Sequence, residues 1–331
     1  MNFLKMEKED KNFIFALGIF LVLMFSRFFD HYLRFHSAPM GIMQNYWFIY
    51  VVSIIFGAVL TLFAGYIIRT VSAEKKRYMS YLITIVLMCL FSTFLCDSYY
   101  GSTDVYAWMI FAVVYVLIME ERALWLIVPA MFVMALISPM SVLSAGALTF
   151  VMLLQKTFDD KESLSNLVYL ILSTVAELVG VYVTYRLNYF SIDAQGRMNY
   201  RMFIVMLLIM MPYFYVVFSF FLRLIREISI KQHVLYILVF FAGIPSAGIW
   251  SYLGDFNRSL IYIFVYYCFI IMFYIMKGDE NFERNFNVTV VRIKQQLPIP
   301  EVVLIYLLMM LAYVMIGADE IVPEFMLTLV E

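Results

Sequence analysis

The chain has 331 residues, of which 64% are hydrophobic and 14% charged, with a net charge of -1 and a mean hydropathy of +0.89. A water-soluble fold of that length cannot hide so much apolar surface, which excludes a soluble globular domain. What remains is an all-α, polytopic transmembrane bundle whose segments of about 20 apolar residues face a lipid bilayer.

In chain order, Lys5, Lys8 and Lys11 precede a first apolar segment over 12–29. That segment runs into Arg27, Asp30 and His31 with no small-residue cleavage site, so it reads as an uncleaved span rather than a signal peptide. Further spans are expected at 47–68, 78–95, 105–119, 123–137, 140–154, 167–185, 202–222, 234–249, 259–276 and 301–316. Nearly every residue falls in a span or a short connection, so residues 1–331 read as a single integral membrane domain. Three segments (105–119, 123–137 and 140–154) are short, at about 22 Å of helix against a hydrocarbon core of about 30 Å. The last two are joined only by Ser138-Pro139, which leaves two readings for 123–154: two crossings, or one re-entrant hairpin. Gly243-Ile244-Pro245-Ser246-Ala247-Gly248 is expected to break the ninth span. Loop 277–300 reads either as a solvated connector or as a short interfacial helix carrying Phe282, Phe286, Val290 and Ile293.

The basic residues fix an orientation. With the N-terminus inside, all ten lysines fall on inner segments, which hold 17 of the 23 basic residues. The outer segments hold only Arg27, Arg34, Arg186, Arg197, Arg201 and Arg258. The positive-inside rule therefore gives an inner N-terminus and, with about eleven spans, an outer C-terminus. The three cysteines have no metal-ligand spacing, and no metal site is expected. No basic run implies a nucleic-acid partner, and no phosphate-binding loop or metalloprotease helix implies a nucleotide or metal cofactor. The cofactor is left open.

The outer face holds the residues suited to chemistry. In Arg27-Phe28-Phe29-Asp30-His31-Tyr32-Leu33-Arg34, a helical turn would crowd Asp30 and Arg34 at the membrane surface. There a carboxylate suits a general base and a guanidinium holds phosphate through two bonds. A plain interfacial ion pair is the alternative. Arg186, Arg197 and Arg201 suit a phosphate ligand or the headgroups of anionic lipids. Asp104 sits where a helix N-cap belongs, before the fourth span. Asp255 and Arg258, three apart after the broken helix, face the same way on a helical turn. Within the spans the one acid in a core position is Glu177, near mid-bilayer. Carboxylates at that depth are costly and mark function by default; a protonated glutamic acid bonded between helices is the structural alternative.

Tyr100-Gly101-Ser102-Thr103-Asp104, Ile137-Ser138-Pro139-Met140 and Gly254-Asp255-Phe256-Asn257-Arg258 resemble motifs of bacterial exopolysaccharide polymerases and GT-C glycosyltransferases. The resemblance covers roughly residues 97–155 and 250–276. Asp104, Asp255 and Arg258 match the pattern. Ser102, Ser138 and Asn257 stand where those proteins have Arg, His and Gly. The resemblance implies an outward-facing cavity handling polyprenyl-phosphate-linked sugars, in a multi-pass protein of the bacterial cytoplasmic membrane. In the leading reading, a glycosyltransferase or polymerase, Asp30 or Asp104 is the candidate base, Arg258, Arg197 and Arg201 stabilise the departing phosphate, Asp255 orients Arg258, and Arg34 is a further phosphate-binding candidate. Polysaccharide-assembly proteins are the implied partners. Two rival readings are a transporter or flippase built around Glu177 and Pro245, and a non-catalytic membrane subunit. Sidedness is testable: in cells, a membrane-impermeant maleimide should label Asp255→Cys and leave Lys76→Cys untouched.

Overall fold

The computed structural model describes residues 104–159, 164–187, 230–245, 256–280 and 282–288, together with Leu222 and scattered positions between 51 and 86. The described residues are helical and turn, with no strand among them. The chain divides into two compact units, one of Met1–Val105, Pro300–Leu329 and Glu331, the other of Tyr106–Ile299 and Val330. Of the expected segments, 12–29, 202–222 and 301–316 lie outside the described residues, apart from Leu222.

In the first unit, residues 62–67, 69 and 70 are helical, with Phe63, Ala64 and Ile67 buried and Leu62 exposed. Thr70 closes it by donating its hydroxyl back to the carbonyls of Tyr66 and Ile67, at 3.1 and 3.0 Å. Helical positions Met79, Leu82 and Val86 are buried at spacings of three and four, the signature of one covered helix face.

The helices of the second unit's described residues include α1 (Asp104–Glu120, whose first two residues belong to the first unit), α2 (Ile127–Ile137), α3 (Ala145–Asp159), α4 (Leu164–Arg186), α5 (Ile230–Ala242) and α6 (Phe256–Lys277). Two short 3-10 turns precede α2 and α3, at Leu124–Leu126 and Pro139–Leu143. Proline explains the punctuation. Pro129 sits in the first turn of α2, where its missing N–H costs nothing. Pro139 forces the residue before it out of helix, and Ser138 is extended at φ -137° and ψ 90°. Helical structure then runs without interruption from Pro139 to Asp159, 21 residues. The expected 15-residue segment 140–154 is therefore too short a reading. Gln155, Lys156 and Thr157 continue the helix because their polar groups are satisfied locally, Thr157 donating to the Leu153 carbonyl at 2.8 Å and Gln155 to Asp159 at 3.0 Å.

Pro139–Asp159 and α4, 23 residues, are both long and apolar enough to cross a membrane. Helix α4 is inside out relative to a helix in water. Its buried face is Asn166, Leu170, Ser173, Glu177, Gly180 and Thr184. Its exposed side chains include Leu167, Val168, Ile171, Leu172, Val175, Leu178 and Val179. Hydrocarbon solvent favours this distribution and water opposes it.

Helix α6 is buried on all sides, with every residue from Val265 to Ile275 covered. Helix α1 lies along it in parallel. Trp108 stacks on Phe269 (5.8 Å between centroids, 5° between planes) and touches Tyr262 at 5.8 Å. One turn and then two further on, Phe111 meets Phe269 edge-on at 4.9 Å and the Tyr115 hydroxyl reaches Met276 Sδ at 3.7 Å. The contacts advance in step, seven residues on each helix, as parallel neighbours require. Helix α5 ends where glycine and proline were expected to break it. Its last free carbonyls, Val239 and Phe240, accept hydroxyls from Tyr266 and Tyr267 at 2.8 and 2.7 Å. A Cβ on Gly243 would stand 2.6 Å from the Tyr266 ring, so the close approach requires glycine.

Glycine also sets the α2–α4 contact, where a Cβ on Gly180 would lie 2.8 Å from Ala135 Cβ and 2.9 Å from the Phe132 carbonyl oxygen. Gly180→Leu should lower stability by about 1–3 kcal/mol in detergent unfolding, whereas Gly65→Ala, in a helix interior and meeting nothing within 4 Å, should raise it by up to about 1 kcal/mol.

Candidate functional site

Three places bear on the residues that the sequence singles out. The first lies where α6 ends. Gly278, at φ 78°, terminates the helix; its N–H donates to Ile275 and that of Asp279 to Tyr274, both at 3.2 Å. This pair of crossing bonds consumes the terminal carbonyls. Asp279 then caps the next helical stretch, accepting from the Phe282 N–H at 2.9 Å and from the Tyr236 hydroxyl at 2.8 Å. The Tyr274 hydroxyl donates to Gln155 Oε1 at 2.8 Å. Lys277 pairs with Asp159, and Lys156 with Glu121. The far ends of α1, α3 and α6 are thus tied together with the middle of α5, through Tyr236.

This arrangement decides part of the 277–300 question. Residues 282–288 are helical, but Phe282 is fully buried and stacks on Tyr274 at 4.5 Å. The stretch is pinned to the bundle there by its first aromatic. Val290 and Ile293 lie outside the described residues.

The second place is the opposite end of α1 and α6. Arg258 is the third residue of α6; Asp104, the first residue of α1, belongs to the first unit. Trp108 and Tyr262, each four residues further on, are in ring contact. The parallel pairing therefore brings the openings of the two helices to the same end. Asp30, Arg34, Arg197, Arg201 and Asp255 lie outside the described residues.

The third place is the seam between α3 and α4. Glu177 is buried, with 5% of its surface exposed. Its carboxyl group presses on Gly146 of α3, where an added Cβ would fall 1.8 Å from Oε1 and 2.8 Å from Oε2. Glycine is the residue that leaves room for the acid. Oε1 has no hydrogen-bond partner among the described residues. The hydroxyls of the same helices are turned onto their own backbones. Ser173 donates to Leu170 at 3.1 Å, Thr184 to Gly180 at 2.9 Å and Thr149 to Ala145 at 3.0 Å. On the hairpin, Ser141 donates to Ser138 at 2.6 Å and Ser144 to Ser141 at 3.2 Å. An unsatisfied buried oxygen costs about 1–3 kcal/mol, and here it stands at the middle of an apolar helix.

Sequence reasoning singled out Asp104, Arg258 and Glu177 but missed Gly146, Gln155, Tyr236, Tyr274 and Asp279. Gln155, an amide next to an apolar run, carried the one readable signal among these.

Comparison with known proteins identifies no relative: the chain matches no family model, no curated protein and no solved structure.

The fit of Glu177 against Gly146 can be measured by a double-mutant cycle. Gly146→Ala should destabilise the protein and Glu177→Ala should relieve that loss, giving a coupling energy of about 0.5–3 kcal/mol; additive effects would mean that the two residues do not touch.

Proposed function

We propose that this chain is a membrane glycosyltransferase or polymerase of cell-surface polysaccharide, transferring sugar from a polyprenyl phosphate carrier at the outer face of the bacterial cytoplasmic membrane. In this reading it crosses the bilayer about eleven times, with its N-terminus inside and its C-terminus outside. One observation carries the proposal furthest: Trp108 and Tyr262, which follow Asp104 and Arg258 by four residues each, are in ring contact. Asp104 and Arg258 are two of the residues that match the glycosyltransferase-like motifs, although they lie far apart in sequence.

The charge distribution supports the same reading. Lys277 stands at the other end of α6 from Arg258, and the Lys156–Glu121 and Lys277–Asp159 pairs join segments assigned to the inner side. The end carrying the openings of α1 and α6 is then the outer one.

The chemistry follows from residue type. A carboxylate from Asp104 or Asp30 takes the proton of the acceptor hydroxyl as its oxygen attacks the anomeric carbon. The bond from that carbon to the carrier phosphate breaks, and its electron pair leaves with the phosphate. Arg258, Arg197, Arg201 and Arg34 stabilise the charge gathering on the phosphate oxygens, which planar guanidinium groups meet with paired bonds. Asp255, three residues before Arg258, holds that guanidinium in position. Partners under this proposal are the lipid-linked donor, the bilayer and other polysaccharide-assembly proteins.

Arg258→Ala should reduce polymer yield in cells by about 100-fold at unchanged protein level, with Asp104→Asn acting in the same direction. Mass spectrometry of the purified protein should find bound polyprenyl phosphate. Normal polymer in both variants, together with no bound polyprenyl phosphate, would rule out sugar transfer by this chain.

A further inference from the structure

We propose that residues 279, 280 and 282–288 form a hinged strap, which closes over the meeting point of α3, α5 and α6 and opens as a unit about Gly278. This device does not depend on the sugar-transfer reading. The hinge is built into the backbone. Gly278 sits at φ 78°, in the left-handed region that strains any side chain, and a Cβ placed there would meet nothing within 4 Å. Glycine is therefore demanded by the turn itself and not by a close neighbour, and the turn has room to move. Hinges of this kind are short positions at the ends of elements that absorb the backbone rotation.

On the two sides of this hinge the chain is held very differently. Before it, α6 is covered on every residue from Val265 to Ile275. Beyond it the helical stretch has two faces. Phe282 and Asn285, three residues apart, are buried, whereas Glu280, Arg284, Asn287 and Val288 are exposed. Two catches seat the buried face, and they differ in chemistry. Asp279 accepts the Tyr236 hydroxyl of α5 at 2.8 Å with one carboxylate oxygen and the Phe282 N–H at 2.9 Å with the other. The carboxylate that ties the strap to α5 thus also starts its helix. Phe282 lies flat on the Tyr274 ring of α6, with 4.5 Å between centroids and 15° between planes. Tyr236 and Tyr274 are themselves in ring contact at 5.4 Å, so both catches bear on one aromatic pair.

What the strap covers does not rely on it. Beneath Phe282, the Tyr274 hydroxyl donates to Gln155 of α3 at 2.8 Å. Gln155 donates in turn to Asp159 at 3.0 Å, and Asp159 pairs with Lys277. Every one of these groups stands on α3 or before the hinge on α6, so the helices stay tied when the strap lifts. Lifting it would uncover one face of the Tyr274 ring and take the Asp279 acceptor from the Tyr236 hydroxyl, both at the junction of three helices. A short segment fastened by a hydrogen bond and a ring stack opens at lower free energy than a helix covered on all sides. That difference separates a lid from the mere end of α6.

Hydrogen-exchange mass spectrometry on the full-length protein in lipid vesicles tests the proposal. The Glu283 N–H, bonded to the Asp279 carbonyl at 2.9 Å, is the first reporter in the strap. Amides of 283–288 should exchange together, about tenfold or more faster than those of 265–275 in α6. Tyr236→Phe, which keeps the ring and removes one catch, should speed strap exchange about tenfold. Phe282→Ala should speed it about a hundredfold, and Phe282→Leu takes its place should the alanine variant fail to fold. Gly278→Ala, which strains only the closed turn, should speed it about five- to thirtyfold. Exchange over 265–275 should stay unchanged throughout. Strap amides that exchange at the α6 rate in the unaltered protein would overturn the hinge. Strap exchange indifferent to Tyr236→Phe and to the Phe282 variants would overturn the catches, and equal acceleration of 265–275 would make the segment a structural end of α6.

Discussion

Polar atoms inside this bundle have nowhere to turn but to one another, and that constraint organises what is described of it. Where hydrocarbon surrounds a helix, the backbone is satisfied within the helix and side-chain polarity must point inward. Helix α4 follows this on its buried face, with Asn166, Ser173, Glu177 and Thr184 inside and Leu167, Val168, Ile171, Leu172, Val175, Leu178 and Val179 outside. The interruptions follow the same logic. The carbonyls freed where α5 ends are taken by Tyr266 and Tyr267. Those freed where α6 ends are taken by the N–H groups of Gly278 and Asp279. Glu177 Oε1 departs from the pattern, and it draws attention for that reason.

Close helix approach makes the seam possible. Burial of apolar surface gains little when the solvent is itself apolar, so helices associate through van der Waals contact and small residues. Gly180 lets α4 touch Ala135 and the Phe132 carbonyl of α2, and Gly146 lets Glu177 lie flat on α3. Aromatic packing does the same work elsewhere, around Trp108, Phe111 and Phe269. The two ends of the bundle contrast in kind. One is a closed polar knot in which Asp159, Lys277, Gln155, Tyr274 and Asp279 all have partners. The other carries the openings of α1 and α6, where the residues proposed for sugar transfer begin.

Much of the local structure was legible in the residues. Apolar run length announced α1, α4 and α6 to within three residues at each end, since a helix exposed to lipid must be apolar for most of its length. Ser138-Pro139 announced its break because proline restricts its predecessor, and Gly243 announced the other, where the helix ends after Ala242. Segment 140–154 was drawn too short, since a hydropathy reading stops at Gln155 while the helix continues wherever side chains satisfy one another locally. Glu177 stood out as an acid among apolar neighbours.

Sequence by itself determined the helical character of the described residues, two helices long and apolar enough to cross a membrane, and the sites of the breaks between helices. Tertiary structure alone decided which helices are neighbours: that Trp108 meets Tyr262 and Phe269, that Tyr274 reaches Gln155, and that Glu177 rests on Gly146. The physical reason is that a helix apolar on every side has no amphipathic stripe to say which face meets protein and which meets lipid. Partner choice then rests on the fit of individual side chains, and shape of that kind is expressed only once the helices are assembled.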